Sequence, residues 1–233
     1  MIKFFRNIRK KLLQQNKVTR YLAYAIGEII LVVIGILIAL QVNTWNEVKK
    51  NKVFENEILT QIKENLLQDK KALVTIAGNF EMAYNSSNKL IIVAHRNSFP
   101  DSIPYWLGHV AQFDRFQPIT NSYEVLKSKG LDIVSDTELR HQLGQYYDDK
   151  INHTVKAMGD IELSFNEEWL PLMRDHITDF KFKTYVKVTS MDHFFEHTNV
   201  VRILILNRDN YNAARNYVKS VIVQIDELVA LIP

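Results

Sequence analysis

The sequence predicts an all-α protein: one N-terminal transmembrane helix, then an antiparallel helical-bundle domain with long helices and one short extended segment. Three observations carry this. Residues 21–42 hold no Lys, Arg, Asp or Pro. Between Asn46 and His95 there is no proline and a single glycine, Gly78. Apolar residues there and in two later stretches recur at three-, four- and seven-residue steps, the period of a helix with one buried face.

The first element is the apolar run. From Ile29 to Leu40 every residue is Ile, Leu or Val except Gly35 and Ala39. Twenty-two helical residues rise roughly 33 Å, enough to cross the hydrocarbon core of a bilayer. Tyr21 and Tyr24 stand at one end and Trp45 at the other, where aromatic rings settle at membrane interfaces. The run is longer than the apolar part of a cleaved signal peptide, so it reads as a retained anchor.

The formal net charge of +3 divides unevenly. Residues 1–20 carry seven basic side chains, among them Lys3, Arg6, Arg9, Lys10 and Lys11, and no acidic one, whereas residues 43–233 sum to −3. A basic flank ahead of a span places that flank in the cytoplasm. The expected layout is a cytoplasmic head (1–20), a transmembrane helix (21–43) and a periplasmic domain (44–233) on the bacterial inner membrane. Met1, Phe5, Ile8 and Leu12 share one face of a helical wheel, so the head is either an in-plane amphipathic helix or only a topogenic flank. Beyond the head no basic stripe exists to neutralise phosphates, so nucleic acid is not an expected partner. The chain has no cysteine, which excludes disulfides and thiolate chemistry.

The outer part begins with a helix marked by Ile58, Ile62, Leu66, Leu73, Ile76, Phe80 and Ala83, with a break expected near Gly78. Residues 99–118 hold three of the five prolines and five aromatic residues, which reads as an irregular connector capping one end of the bundle. A short helix follows, with Thr120 or Asn121 at its start and Gly130 at its end. Ser135 and Glu138 have capping-box spacing and open a second long helix, which Pro171 ends or bends. Alternation in "FKFKTYVKV" (180–188) predicts an extended segment, either a strap across the helices or a strand pairing with a second copy. Val200 to Ile232 returns to helical spacing.

The head and span, with Gly27-Glu28-Ile29, Leu31 to Leu40 and the exit Asn43 to Glu47, resemble the opening of a family of uncharacterised single-span proteins from the Bacteroidetes. The stretch 123–148 is family-like as well. The resemblance implies an inner-membrane protein with a helical outer domain, and no established activity.

Candidate chemistry is sparse. Glu28 is a carboxylate at membrane depth, costly unless neutral, paired or hydrated. On a wheel it shares a stripe with Tyr24, Gly35 and Ala39, and Gly35-x-x-x-Ala39 is a small-xxx-small pair that admits a second helix. Glu28 is buried between associated spans, or it snorkels to the cytoplasmic surface or bonds Tyr24, or it takes part in moving a proton or ion. Tyr105, Trp106, Phe113 and Phe116 could line a ligand pocket or could simply close the bundle end. His193 and His197 sit at i, i+4 without the residue order of a zinc protease or a third ligand, so no metal is expected. The neighbouring carboxylates Asp148-Asp149 and Glu167-Glu168 diverge on a helix and read as solvated faces. No nucleophile elbow, phosphate loop or dinucleotide fingerprint occurs, so neither an enzyme nor a cofactor is expected. The functional expectation is an anchored structural or interaction protein, working as a homo-oligomer or with a membrane-protein partner. A ligand-binding sensory domain is the alternative.

Overall fold

The computed structural model describes residues 6, 7, 10, 18–96, 98–196 and 198–233, with side chains described at all of these except 19–21, 23 and 198. The chain divides into two compact units, Met1–Phe54 and Glu55–Pro233. Among the described residues it is mostly helical, with one small two-stranded sheet and a non-helical stretch at 111–120.

Helix α1 runs from Val18 to Arg96, 79 residues without a break. It passes Gly78, where the sequence predicted an interruption. A lone helical glycine costs only about 1 kcal/mol. Its neighbours Ile76, Ala77, Phe80 and Ala83 are all buried, and their packing keeps the turn helical. In the first unit the opposite holds. The apolar side chains Leu22, Ile26, Ile29 to Ile34, Ile36 to Ile38, Leu40 and Val42 are all exposed, around the whole circumference of the helix. This is one helix long and apolar enough to cross a membrane.

In the second unit four arms run up, down, up and down. Arm one is α1 from Glu55 onward. Arm two is the segment 98–136, which carries α2 (Ile103–Val110) and α3 (Asn121–Lys129). It does not cap an end, as the sequence predicted; it descends along α1 from Ser86 to Glu55. His109 Nδ1 lies 3.0 Å from Ser86 Oγ, Asn79 donates to Asp114, Ile119 N–H reaches Asp69, Asn65 donates to Asn121, and Ser135 N–H reaches Glu55. As the connector numbers rise, the α1 numbers fall. The polar side chains that make these bonds alternate with apolar core positions on α1, and that alternation holds a proline-rich segment extended along a helix.

Arm three is a helical rod: α4 (Thr137–Gly144), a π turn (Gln145–Lys150), α5 (Ile151–Ser164), a second π turn (Phe165–Trp169) and α6 (Leu170–His176). Its N-cap is Asp136, whose side chain accepts from Glu138 N and Leu139 N; Ser135, the predicted cap, is engaged by Glu55 instead. Pro171 does not end the rod. It falls just after the second π turn, where the widened turn accommodates its missing N–H, and the helix continues to His176.

The predicted extended segment folds on itself. Strands β1 (Ile177–Lys181) and β2 (Tyr185–Val188) pair antiparallel, and Lys183, with φ +62°, supplies the left-handed residue of the turn. Lys183 also pairs with Asp114 on the connector. The hairpin packs on α2 at Gly108, where an added Cβ would lie 2.4 Å from Tyr185 N. After α7 (Met191–Glu196), helix α8 (Thr198–Leu231) descends antiparallel to α1. Glu81 binds Arg215 and Lys219, and Lys63 Nζ reaches Ile232 O. The core lies between arms one, three and four, with Ile62, Leu66, Phe80, Leu143, Trp169, Tyr211 and Ile225 among its fully buried residues.

Candidate functional site

Three groups of residues come into question, and the structure treats them differently. The first is the stripe on the apolar helix. Tyr24 and Glu28 are half-buried, each engaged in an interaction, and Ala39 is exposed. Space is open around Gly27 and Gly35, where an added Cβ would touch nothing within 4 Å. Glu28 also lines a shallow groove with Ala25, Ile29, Val32 and Val33; a second groove runs past Ala39, Val42, Asn43 and Trp45. Of the predicted interfacial residues, Trp45 is 72% exposed, and Arg6 and Lys10 are exposed and helical. Lys3, Arg9 and Lys11 lie outside the described residues, as do the apolar residues of the predicted amphipathic head and the side chain of Tyr21.

The second group is the aromatic connector. Its rings go to different partners. Phe113 packs on Phe165 and Phe182, Trp106 lies under the Lys89 ammonium, and the 55%-exposed Tyr105 meets Tyr185 edge-on. Phe116 is half-buried. Phe113 thereby joins the connector, the second π turn and the hairpin.

The third group went unnoticed in the sequence. Asp69 occupies the buried face of α1 between Leu66 and Leu73 and is 2% exposed. Both its oxygens accept from Ile119 N–H, at 3.3 and 3.1 Å, and the Tyr146 hydroxyl stands 3.5 Å from Oδ2. Tyr146 and Tyr147 lie in the first π turn, three and four positions after the buried Leu143, and both face the interior. Tyr147 stacks on Tyr123 at 4.3 Å, and Tyr123 donates to Asp148, which also binds Lys127. Asp148 is therefore part of this cluster and not merely a solvated carboxylate, whereas Asp149 faces solvent beside His153.

Burial governs the electrostatics. It pushes the Asp69 carboxyl up to about 6, against the smaller opposing effects of Ile119 N–H and the Tyr146 hydroxyl. Burial likewise raises Tyr123, Tyr146 and Tyr147 far above the usual phenol range, with nearby Asp148 or Asp69 adding to it. Asp148 is held low, chiefly by its bond from Lys127. The Tyr147 hydroxyl is buried without a hydrogen-bond partner among the described residues. The legible signal was a carboxylate at a core position: 62, 66, 69, 73 and 76 form one helical stripe, and only residue 69 is polar.

His193 sits on α7 with its ring 5.5 Å from that of His176, and His197 lies outside the described residues. Among the described residues no group of three or more His, Asp and Glu is placed to hold a metal.

Residues 28–95 are similar to a family of unknown function (DUF6090). No curated protein and no solved structure matches the chain.

Proposed function

We propose that this chain is a non-enzymatic, membrane-anchored interaction protein: α1 fixes it in a bacterial inner membrane, and the helical domain stands in the periplasm as part of an oligomer or envelope complex. The observation that carries the reading is the apolar circumference of α1 exposed from Ile29 to Val42. Apolar surface on that scale leaves water only by entering lipid or packing against other spans. The basic residues 1–20 support the direction, head inside and domain outside. The match at residues 28–95 begins at Glu28 and takes in Gly35 and Ala39.

Tyr24, Glu28, Gly35 and Ala39 are the contact residues in this reading. Open space around Gly35 lets a second helix approach, and Glu28 is satisfied across the pair. In a membrane dimerisation assay Glu28→Gln and Gly35→Leu should each weaken self- or partner association. Unchanged association in both removes the idea. The full chain purified in mild detergent should run as an oligomer or bring a partner protein with it.

The buried Asp69 favours a second reading, a sensory outer domain that reports through a partner. A carboxylate poised near neutrality inside a bundle is a responsive element rather than a packing element.

A further inference from the structure

Asp69 is an unusual core residue. Among the described residues no lysine, arginine or histidine pairs with it. On α1 its face is otherwise Ile62, Leu66, Leu73 and Ile76, and Lys70 turns to α8, where it binds Asp226. The connector offers one backbone N–H, from Ile119. From the rod come the Tyr146 hydroxyl, 3.5 Å from Oδ2, and the nearby Tyr147, whose hydroxyl makes no hydrogen bond among the described residues, while Asp148 is occupied by Lys127 and Tyr123. From α3 comes the ring of Tyr123, stacked on Tyr147. Neutral donors and apolar carbon surround the carboxylate on every side for which a neighbour is defined.

We propose that Asp69, held between Ile119 and the Tyr146–Tyr147 pair, is a proton-binding site whose occupancy sets how firmly residues 111–120 of the connector are seated on α1.

The chemistry balances on these groups alone. With Asp69 ionised, Ile119 N–H and the Tyr146 hydroxyl donate to it, and its charge is poorly solvated. On protonation one oxygen still accepts from Ile119 N–H, while the new O–H donates to the Tyr146 oxygen, which rotates its own hydrogen away. When the connector lifts, Asp69 meets water and returns to an ordinary carboxylate value. The sign follows: the seated state binds the proton more tightly than the lifted state, so seating strengthens as pH falls through about 6 and gains nothing further below about 3.8. At neutral and alkaline pH the connector opens more readily.

The test is hydrogen exchange of the 111–120 peptides in the full chain in detergent, corrected for intrinsic exchange rates, between pH 8 and pH 5. The two carboxyl values give about a tenfold rise in protection on going to pH 5. His109, at the end of α2, works the other way, because burial depresses it and acid loosens its surroundings. Comparison with Asp69→Asn isolates the carboxylate: that variant should be at least as protected at pH 8 as the wild type at pH 5, and should lose the pH-dependent rise. Tyr146→Phe removes a donor to the charged form, so its midpoint should move to higher pH. Equal wild-type protection at both pH values, or an Asp69→Asn profile that keeps the rise, overturns the proposal. If Asp69→Asn fails to fold, an unmoved midpoint in Tyr146→Phe overturns it by itself.

Discussion

The hydroxyl of Tyr211 lies 2.7 Å from Val110 O and 2.9 Å from Gln112 O, joining the middle of α8 to the point where α2 gives way to extended connector. Both carbonyls are at a helix end, where backbone acceptors outlive their helical partners. Tyr211 is fully buried, so water cannot replace it.

Tyr211→Phe should therefore cost more than a surface hydrogen bond. It keeps the ring packed near Phe80 and leaves the two carbonyls dependent on weaker partners. Roughly 1–3 kcal/mol is expected. For a chain of this size that is a fall in melting temperature of roughly 3–10 °C, read by circular dichroism. A fall of under one degree would mean that the carbonyls find other donors.

Glu55 ties the far end of segment 98–136 to α1. It is buried and accepts from both Ser135 N–H, at 2.7 Å, and Ser135 Oγ, at 2.9 Å. Glu55→Ala removes a charge-assisted acceptor from a backbone donor, worth about 2–3 kcal/mol, whereas Ser135→Ala loses only the hydroxyl bond, about 1 kcal/mol. Denaturant melts of the two variants check the order. Equal effects would mean that the backbone N–H is satisfied by water.

How much of this was legible in the sequence follows from what each residue answers to. Helical periodicity is a local signal. It placed the core stripes of α1, the rod and α8, and Gly130 as the end of α3, where φ is +111°. Ser135 was legible as a cap by spacing alone, yet its hydroxyl bonds a residue eighty positions away, and the adjacent Asp136 takes the cap. The path of the connector depends on Ser86, Asn79, Asp69 and Asn65, single polar side chains with no local pattern. Tyr146 and Tyr147 were legible as core residues, three and four positions after Leu143 on the helical stripe; the π turn at that point and the meeting with Asp69 were not, because neither has a local pattern. The hairpin was half legible: alternation marked 180–188 as one extended segment, which takes in β2 and the end of β1 but runs through the turn at Lys183, and β1 begins earlier, at Ile177.

Gly108 gives a steric prediction. Besides Tyr185 N at 2.4 Å, an added Cβ would meet Thr184 C and Tyr185 Cα at 2.5 Å, all backbone atoms that cannot rotate aside. Gly108→Ala should push the hairpin off α2 at a cost of roughly 1–3 kcal/mol. The signature is local: faster hydrogen exchange in residues 177–188, with the α1–α8 contact region unchanged. Uniform exchange would place the strain elsewhere.

Tyr147 predicts a gain. Its ring is stacked on Tyr123 and set edge-on to Tyr146, but its hydroxyl, in a residue only 5% exposed, has no hydrogen-bond partner among the described residues. A buried unpaired hydroxyl gives up its hydration without compensation, a loss of about 1–3 kcal/mol. Tyr147→Phe keeps both ring contacts and removes only the oxygen, so the chain should be more stable by about 1 kcal/mol. The matched variant Tyr123→Phe should be less stable, because it breaks the 2.8 Å bond to Asp148. The two tyrosines face each other ring to ring and differ mainly in whether the hydroxyl is paired. Opposite shifts of the melting temperature in the two variants are the expected result. Destabilisation by Tyr147→Phe equal to that of Tyr123→Phe would show that the Tyr147 hydroxyl holds an ordered water against Asp69, so that the cluster is hydrated rather than dry.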